Sequence, residues 1–357
     1  MDKNRFVPRL IAWELTRTCN LDCIHCRASA SQGTYEGELS TEEVFRILEE
    51  ITEVGNPVMI LTGGEPLLRR DLLEIAARAT SLGLKPVLAT NGTLLTRELA
   101  LELKKAGISR VSISLDGATP KAHDNFRKMP GAFEGALKGI QILKEVGLPF
   151  QINTTITAVN AEELPKVHEL AKELGATAHH IFLLVPVGRG KELNEEALSP
   201  ERYEALLNWF YEQREKSPLH LKATCAPHYY RILRERARAE GKEVTYETFG
   251  LDAVTRGCLA GVGFCFISHR GIVQTCGYLE VPCGDLRKNT FKEVWEGSEI
   301  FNKLRDFSLY KGKCGRCEYI RVCGGCRARA YELTGDYLEE EPLCTYQPKK
   351  ASLLSQR

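Results

Sequence analysis

The chain has almost no charge imbalance: 48 Lys and Arg stand against 47 Asp and Glu, a formal net charge of +1. Nothing here supports an electrostatic footprint on nucleic acid or a polybasic membrane anchor. No apolar run approaches the ~20 residues needed to cross a bilayer; HIFLLVPV, among the longest, breaks at a proline. The opening residues, MDKNRFVPRL, lack the apolar core of a secretory signal. Internal repeats and low-complexity stretches are missing, and too few residues precede the first predicted strand for a leader-binding domain. These absences lead us to expect a cytoplasmic protein with no nucleic-acid or membrane partner.

In that compartment thiols stay reduced, yet the chain has 13 cysteines. Their distribution is uneven. Three lie near the start, Cys225 stands alone, and the rest fall between Cys258 and Cys344. Clustered cysteines under reducing conditions point to metal or cluster binding rather than disulfides.

The remaining composition, 43% hydrophobic and 27% charged over 357 residues, is that of a globular chain long enough for two domains. Predicted strands begin at Leu10 (LIAWEL), Val58 (VMILTG), Pro86 (PVLAT), Arg110 (RVSISL), Phe150 (FQINTTIT) and His180 (HIFLLVP). Each is short, apolar or β-branched, and bounded by Gly, Pro, Asn or Asp. Helix-period segments separate them, with Ser40, Asn160 and Ser199 as N-caps and Gly83, Gly107, Gly147 and Gly175 as stops. Six such units in succession predict an α/β fold around a parallel sheet, open or barrel-like, with its site at the carboxyl ends of the strands. Cys19, Gly63, Asn91, Asp116 and Asn153 fall at or just past those ends. We assign residues 1–217 to this core and 218–357 to a smaller, loop-rich, cysteine-rich domain.

The stretch TRTCNLDCIHCRASA holds Cys19, Cys23 and Cys26 as C-x3-C-x2-C. Three thiols are one short of a structural zinc site, and one short of the irons in a four-iron cube. Either His25 completes a zinc site, or a cluster keeps one iron open to a small molecule. Followed by TGGEP after the second strand, the triad resembles the radical S-adenosylmethionine superfamily, and the resemblance spans the whole chain. It implies a partial (β/α)6 barrel, a 4Fe-4S cluster on Cys19, Cys23 and Cys26, and S-adenosylmethionine on the open iron. In that family one-electron cleavage yields a 5'-deoxyadenosyl radical that abstracts hydrogen from substrate. The resemblance also places Gly63, Gly64, Glu65, Asn91, Ser114, Asp116 and Asn153 around S-adenosylmethionine, with His25 against its adenine. Gly63 and Gly64 suit a close backbone approach, and Glu65 suits a charged amino group. Plain turn chemistry is the alternative for Asn91 and Asn153.

The C-terminal cysteines, with Gly271 ahead of Cys276, resemble the SPASM extension of the same superfamily, which carries one or two auxiliary 4Fe-4S clusters. By that resemblance Cys258, Cys276 and Cys326, with Cys265 as candidate fourth ligand, serve the nearer cluster. Cys314, Cys317, Cys323 and Cys344 serve the farther one. Two residues separate Cys323 from Cys326 where many members have three, which leaves the partition and the cluster count open. A zinc ribbon is the alternative, although the cysteines exceed one zinc's needs. Cys225 and Cys283 stay unassigned, each a candidate inert thiol.

Four phrases, FQINTTIT, HIFLLVPVGRGKEL, KATCAPHYYRI and CGGCRARAYELTGDYLEEEPLC, resemble the tetrapyrrole-modifying branch, most closely its heme synthases. Those enzymes oxidatively decarboxylate two propionates of iron-coproporphyrin III to vinyl groups, giving heme b. The resemblance makes Arg189, Lys191, Lys222 and Arg231 candidate partners of propionates, for which arginine's planar fork is well suited. His228 and Tyr229 become candidate catalytic groups, as proton donor or axial ligand to the porphyrin iron. A flavodoxin or ferredoxin-type electron donor is expected as well. The competing readings are didecarboxysiroheme side-chain removal, heme d1 synthesis, a peptide-modifying SPASM enzyme, and a non-enzymatic iron-sulfur or zinc sensor.

Overall fold

A computed structural model describes residues 6–196 and 198–349. Its frame is a ten-stranded sheet. Seven strands lie side by side in chain order and in parallel: β1 (Leu10–Thr16), β2 (Val58–Gly63), β3 (Lys85–Thr90), β4 (Val111–Ser114), β5 (Phe150–Ile156), β6 (Ala178–Leu183) and β7 (His220–Thr224). On the other edge β8 (Phe264–Ile267) pairs in parallel with β1, and β9 (Ile272–Cys276) and β10 (Leu279–Asp285) follow antiparallel. The cysteine-rich segment therefore joins the sheet itself, from Leu10 opposite Phe264 to Trp13 opposite Ile267.

The crossovers carry α1 (Thr41–Val54), α2 (Leu72–Ser81), α3 (Arg97–Lys105), α4 (Pro120–Arg127), α5 (Ala132–Glu145), α6 (Leu164–Glu173) and α7 (Pro200–Glu212), and α8 (His228–Ala239) packs on α7. Local chemistry sets their ends. Ser40 accepts from the Glu43 N–H while the Glu43 carboxylate accepts from the Ser40 N–H, a reciprocal cap that starts α1. Ser199 likewise caps α7. Gly83, Gly107, Gly147 and Gly175 follow their helices with positive φ, the conformation that glycine permits at a helix stop. Asn160 differs from its expected role. Its amide donates to the carbonyls of Asp116 (3.0 Å) and Thr155 (2.8 Å), so it ties the ends of β4 and β5 together instead of capping a helix.

Strand alternation divides the sheet into two faces. Val111, Ile113, Phe150, Ile152, Ile181 and Leu221 join the apolar core under the helices. Ser112, Ser114, Gln151, Asn153, His180 and Lys222 lie on the opposite, inner face. The inner-face positions of β7 are His220, Lys222 and Thr224, and the strand carries the parallel sheet past residue 217.

Candidate active site

β1 runs out at Thr16, and the following loop presents the triad. The Cys19 N–H donates to the Ser31 carbonyl at 3.0 Å and closes the loop. N–H groups then turn onto the sulfurs: Leu21 onto Cys19 Sγ at 3.4 Å, Ala30 onto Cys26 Sγ at 3.4 Å, and Arg127 Nη1 onto Cys23 Sγ at 3.6 Å. Burial pushes the Cys19 thiol up to about 12, and Cys23 moves in the same direction for the same reason. Two buried thiols, Cys19 and Cys23, are costly as bare thiolates, and all three sulfurs lie under convergent donors; they suit ligands of an electrophilic iron cluster, so the donor set fits the implied group. Arg189 braces the loop. Its backbone N–H reaches the Cys26 carbonyl (3.0 Å), Nε the Cys23 carbonyl (2.8 Å) and Nη1 the Ala30 carbonyl (2.9 Å).

The TGGEP segment packs directly on the chain leading into this loop. The Gly64 N–H donates to the Thr16 carbonyl at 2.7 Å and the Glu65 N–H to the Thr18 carbonyl at 2.8 Å. A Cβ on Gly63 would stand 2.4 Å from the Thr16 carbonyl oxygen, and one on Gly64 2.4 Å from that of Thr18. The close approach that requires glycine here is thus between two segments of the chain. Glu65 is buried and accepts from Thr90 Oγ1 (2.7 Å), the Asn91 N–H (2.8 Å) and the Leu67 N–H (3.1 Å). Asn91 Oδ1 accepts from the Thr93 N–H, a turn, while its amide donates to Asn20 Oδ1 beside Cys19, both at 2.9 Å. Asp116 is enclosed, accepting from the Thr155 N–H at 2.7 Å and pairing with Arg127 at 2.5 Å. Ser114 and Asn153 are register partners on the inner face. His25 stacks on Phe126, with centroids 4.4 Å apart; burial, aided by Arg127 and Arg189, keeps the ring neutral.

Most of the C-terminal cysteines, joined by Cys225 from just past β7, fall into two groups. Cys326 sits with Cys258, Cys276 and Cys225, and Cys225 and Cys276 pack against it. Cys314, Cys317, Cys323 and Cys344 line one cavity with His228, Arg231 and Lys313. Cys265 belongs to neither. It is fully buried on β8, opposite Ile11 of the core, and neighbours Cys283 and Arg305. The fourth thiol of the nearer group is Cys225, just past the end of β7. Its φ of 55° is unusual for a residue with a side chain. Its carbonyl is held by Arg329 Nη2 (3.0 Å) and the Tyr203 hydroxyl (3.2 Å). Arg329 in turn pairs with buried Glu341 at 3.1 Å, which accepts from the Cys326 N–H at 2.7 Å. Among the described residues no three His, Cys, Asp or Glu side chains close around a single metal ion. Four thiols in each group match the four irons of a cube, one thiolate to each iron. The triad and the nearer group approach each other at Arg27, the residue after Cys26, whose Nη1 donates to the carbonyl of Gly277, the residue after Cys276, at 3.5 Å.

The predicted substrate cations have separate fates. Arg189 pairs with Asp22 at 2.9 Å besides bracing the triad loop. Lys191 pairs with Glu332 at 3.2 Å, and Arg231 with Glu204 and Glu235, each at 2.5 Å. Lys222 has no ion pair among the described residues, and the carboxylate near it, Asp252, is held by Arg214. His228 and Tyr229 are fully buried. His228 lies beside the farther cysteine group rather than on the inner face, and Tyr229 is packed among Phe210, Tyr230 and Arg214.

Comparison with known proteins shows the family of the chain. The radical SAM superfamily model matches residues 13–174, and the SPASM iron-sulfur cluster-binding domain model matches residues 258–327. The AdoMet-dependent heme synthase of Methanosarcina barkeri is 56% identical over 343 residues, covering 96% of this chain and 98% of that protein. The protein of the same name from Nitratidesulfovibrio vulgaris is 53% identical, covering 96% and 93%. The Fe-coproporphyrin III synthase of M. barkeri is more distant, 33% identical with 94% and 87% covered. Among solved structures, Streptococcus suis SuiB bound to S-adenosylmethionine shares the fold, with a TM-score of 0.76, 17% identity, and coverage of 95% of this chain and 78% of that one. No helix among the described residues is long and apolar enough to cross a membrane.

Proposed function

Because the chain belongs to the radical S-adenosylmethionine superfamily and carries its SPASM extension, we propose that it is a heme synthase of that superfamily. It takes iron-coproporphyrin III and converts two propionate side chains to vinyl groups with loss of carbon dioxide, giving heme b. The observation that carries this reading is identity above one half, along most of both chains, to proteins named AdoMet-dependent heme synthase.

Cys19, Cys23 and Cys26 would hold the cluster that binds S-adenosylmethionine; Cys225, Cys258, Cys276 and Cys326 would hold a nearer auxiliary cluster, and Cys314, Cys317, Cys323 and Cys344 a farther one. When bound, these groups supply a 5'-deoxyadenosyl radical that takes a propionate β-hydrogen, and an acceptor for the electron released with carbon dioxide. The protein's own part is placement. Arg189 and the paired glycines fix the triad loop against β1 and β2. Glu65 and Asn91 frame the space beside Cys19, and Ser114 and Asn153 line the inner face. The pairing of Arg189, Lys191 and Arg231 within the protein leaves Lys222 as the predicted cation best placed for a propionate. A flavodoxin or ferredoxin-type donor and a cytoplasmic setting belong to the same reading, since 13 free cysteines need reducing surroundings.

The test is anaerobic incubation of cluster-loaded protein with S-adenosylmethionine, a strong reductant and iron-coproporphyrin III, followed by mass spectrometry of the porphyrin. Stepwise loss of two formic-acid equivalents is the expected result. An unchanged porphyrin alongside 5'-deoxyadenosine would remove this substrate and leave the radical chemistry.

A further inference from the structure

The inner face of the sheet carries two polar groups that make no hydrogen bond or ion pair of their own among the described residues, His180 Nε2 and Lys222 Nζ. β5, β6 and β7 are in register there: Asn153 stands opposite His180, and His180 opposite Lys222. Register partners project to the same side. Gln151, on the same face, donates one amide hydrogen to Asn153 Oδ1 and the other to His180 Nδ1, each at 2.9 Å. Its carbonyl oxygen accepts from Arg110 Nη1 at 3.4 Å, which fixes the orientation of the amide. His180 Nδ1 is therefore an acceptor, and the neutral ring carries its hydrogen on Nε2. That Nε2–H is buried and finds no acceptor among the described residues. Burial, with Lys222 and His220 adjacent, keeps the ring uncharged.

Lys222 has the matching deficit: it makes no ion pair among the described residues, and the carboxylate near it, Asp252, is taken by Arg214. The other charged side chain felt by His180 is Arg110, again positive. A buried donor without an acceptor, and an ammonium without an ion pair, each destabilise the fold. One two-oxygen anion lying between Lys222 Nζ and His180 Nε2 satisfies both. A carboxylate has that shape, one oxygen for each donor.

We propose that Lys222 and His180 form a carboxylate subsite on the inner face of the sheet, oriented by Gln151, which takes one propionate of the substrate. The identity of the ligand rests on the tetrapyrrole reading above; the preference for a carboxylate does not.

Two measurements on the cluster-loaded protein test this. In the first, iron-coproporphyrin III and its tetramethyl ester are titrated by visible absorbance into wild type, Lys222→Met and His180→Phe. The expected result is that each substitution weakens the tetra-acid roughly 10-fold or more, in line with losing a hydrogen bond to a charged group, while binding of the ester is unchanged. Equal weakening of acid and ester, or no weakening of the acid, overturns the subsite. In the second, protein labelled with 15N in histidine rings is titrated with plain propionate. One Nε2 resonance, absent from His180→Phe, is expected to move, and to stay fixed in Lys222→Met. A His180 signal indifferent to propionate overturns the subsite whichever porphyrin binds. Failure of wild type to bind iron-coproporphyrin III while that signal still moves overturns the substrate reading and keeps the subsite.

Discussion

The guanidinium of Arg127 stands 2.5 Å from Asp116 Oδ2 and 3.6 Å from Cys23 Sγ, joining the end of β4 to the triad loop. Asp116 and Arg127 are both buried. Substituting Arg127→Met strands the carboxylate and removes a donor from the sulfur. Loss of one partner from a buried pair costs on the order of 3–5 kcal/mol. The variant is expected to unfold at lower temperature and to retain less iron at the triad, read by calorimetry and iron analysis. Wild-type values for both would contradict the role assigned to this pair.

The nearer cysteine group makes a prediction by contrast. Cys225 packs against Cys326, whereas Cys265 is buried on β8 opposite Ile11 of the core. Cys225→Ser is expected to lower the iron content and change the auxiliary-cluster signal in electron paramagnetic resonance. Cys265→Ser is expected to keep both. The reverse pattern would restore Cys265 as the fourth ligand.

Gly64→Ala tests the contact between TGGEP and the triad loop. Its Cβ would meet the Thr18 carbonyl oxygen at 2.4 Å and that of Arg17 at 2.5 Å, and backbone cannot swing aside as a side chain does. The loop must shift, and the expected outcome is a loss of at least about ten-fold in 5'-deoxyadenosine formation, the scale of effect that follows small misplacement of reacting groups. Gly83→Ala, at a helix stop where no atom lies within 4 Å, is the comparison. It is expected to cost about 1 kcal/mol of stability from its positive φ and no activity.

Glu14 gives a pH dependence. Burial pushes its carboxyl up, but Arg27, a hydrogen bond from His269 and Arg17 outweigh that and bring it from 4.5 down to about 2. The resulting stabilisation, on the order of 3 kcal/mol, is complete above the unfolded value near 4.5 and is lost as pH falls toward 2. Glu14→Gln removes it at neutral pH. The gap in unfolding midpoint between wild type and variant, measured on iron-free protein, is expected to close on acidification through that window. A gap that stays constant would show that the ion cluster contributes nothing.

The strands from Leu10 to His180 and the caps at Ser40 and Ser199 were legible because apolar period, turn residues and capping chemistry agree locally. β7 was not. Its inner-face residues are His220, Lys222 and Thr224, so HLKAT has the composition of a loop. The triad and TGGEP were legible from spacing, but the neighbours of Glu65 and Asp116 were not, because Thr90, Thr155 and Arg127 come from other strands and a helix. Cys225 carried one signal, isolation among otherwise clustered cysteines. Its approach to Cys326 exists only once β7 and the C-terminal segment have packed together. His180 gave no signal inside an apolar run; only the register that sets it beside Lys222 marks it.

The most direct measurement of the central claim uses iron-coproporphyrin III deuterated at the β-carbons of its propionates. Anaerobic turnover is followed by mass spectrometry of the 5'-deoxyadenosine. If the protein removes a propionate β-hydrogen by a radical path, the nucleoside gains one deuterium for each vinyl group formed. Unlabelled 5'-deoxyadenosine alongside vinyl product would contradict the account.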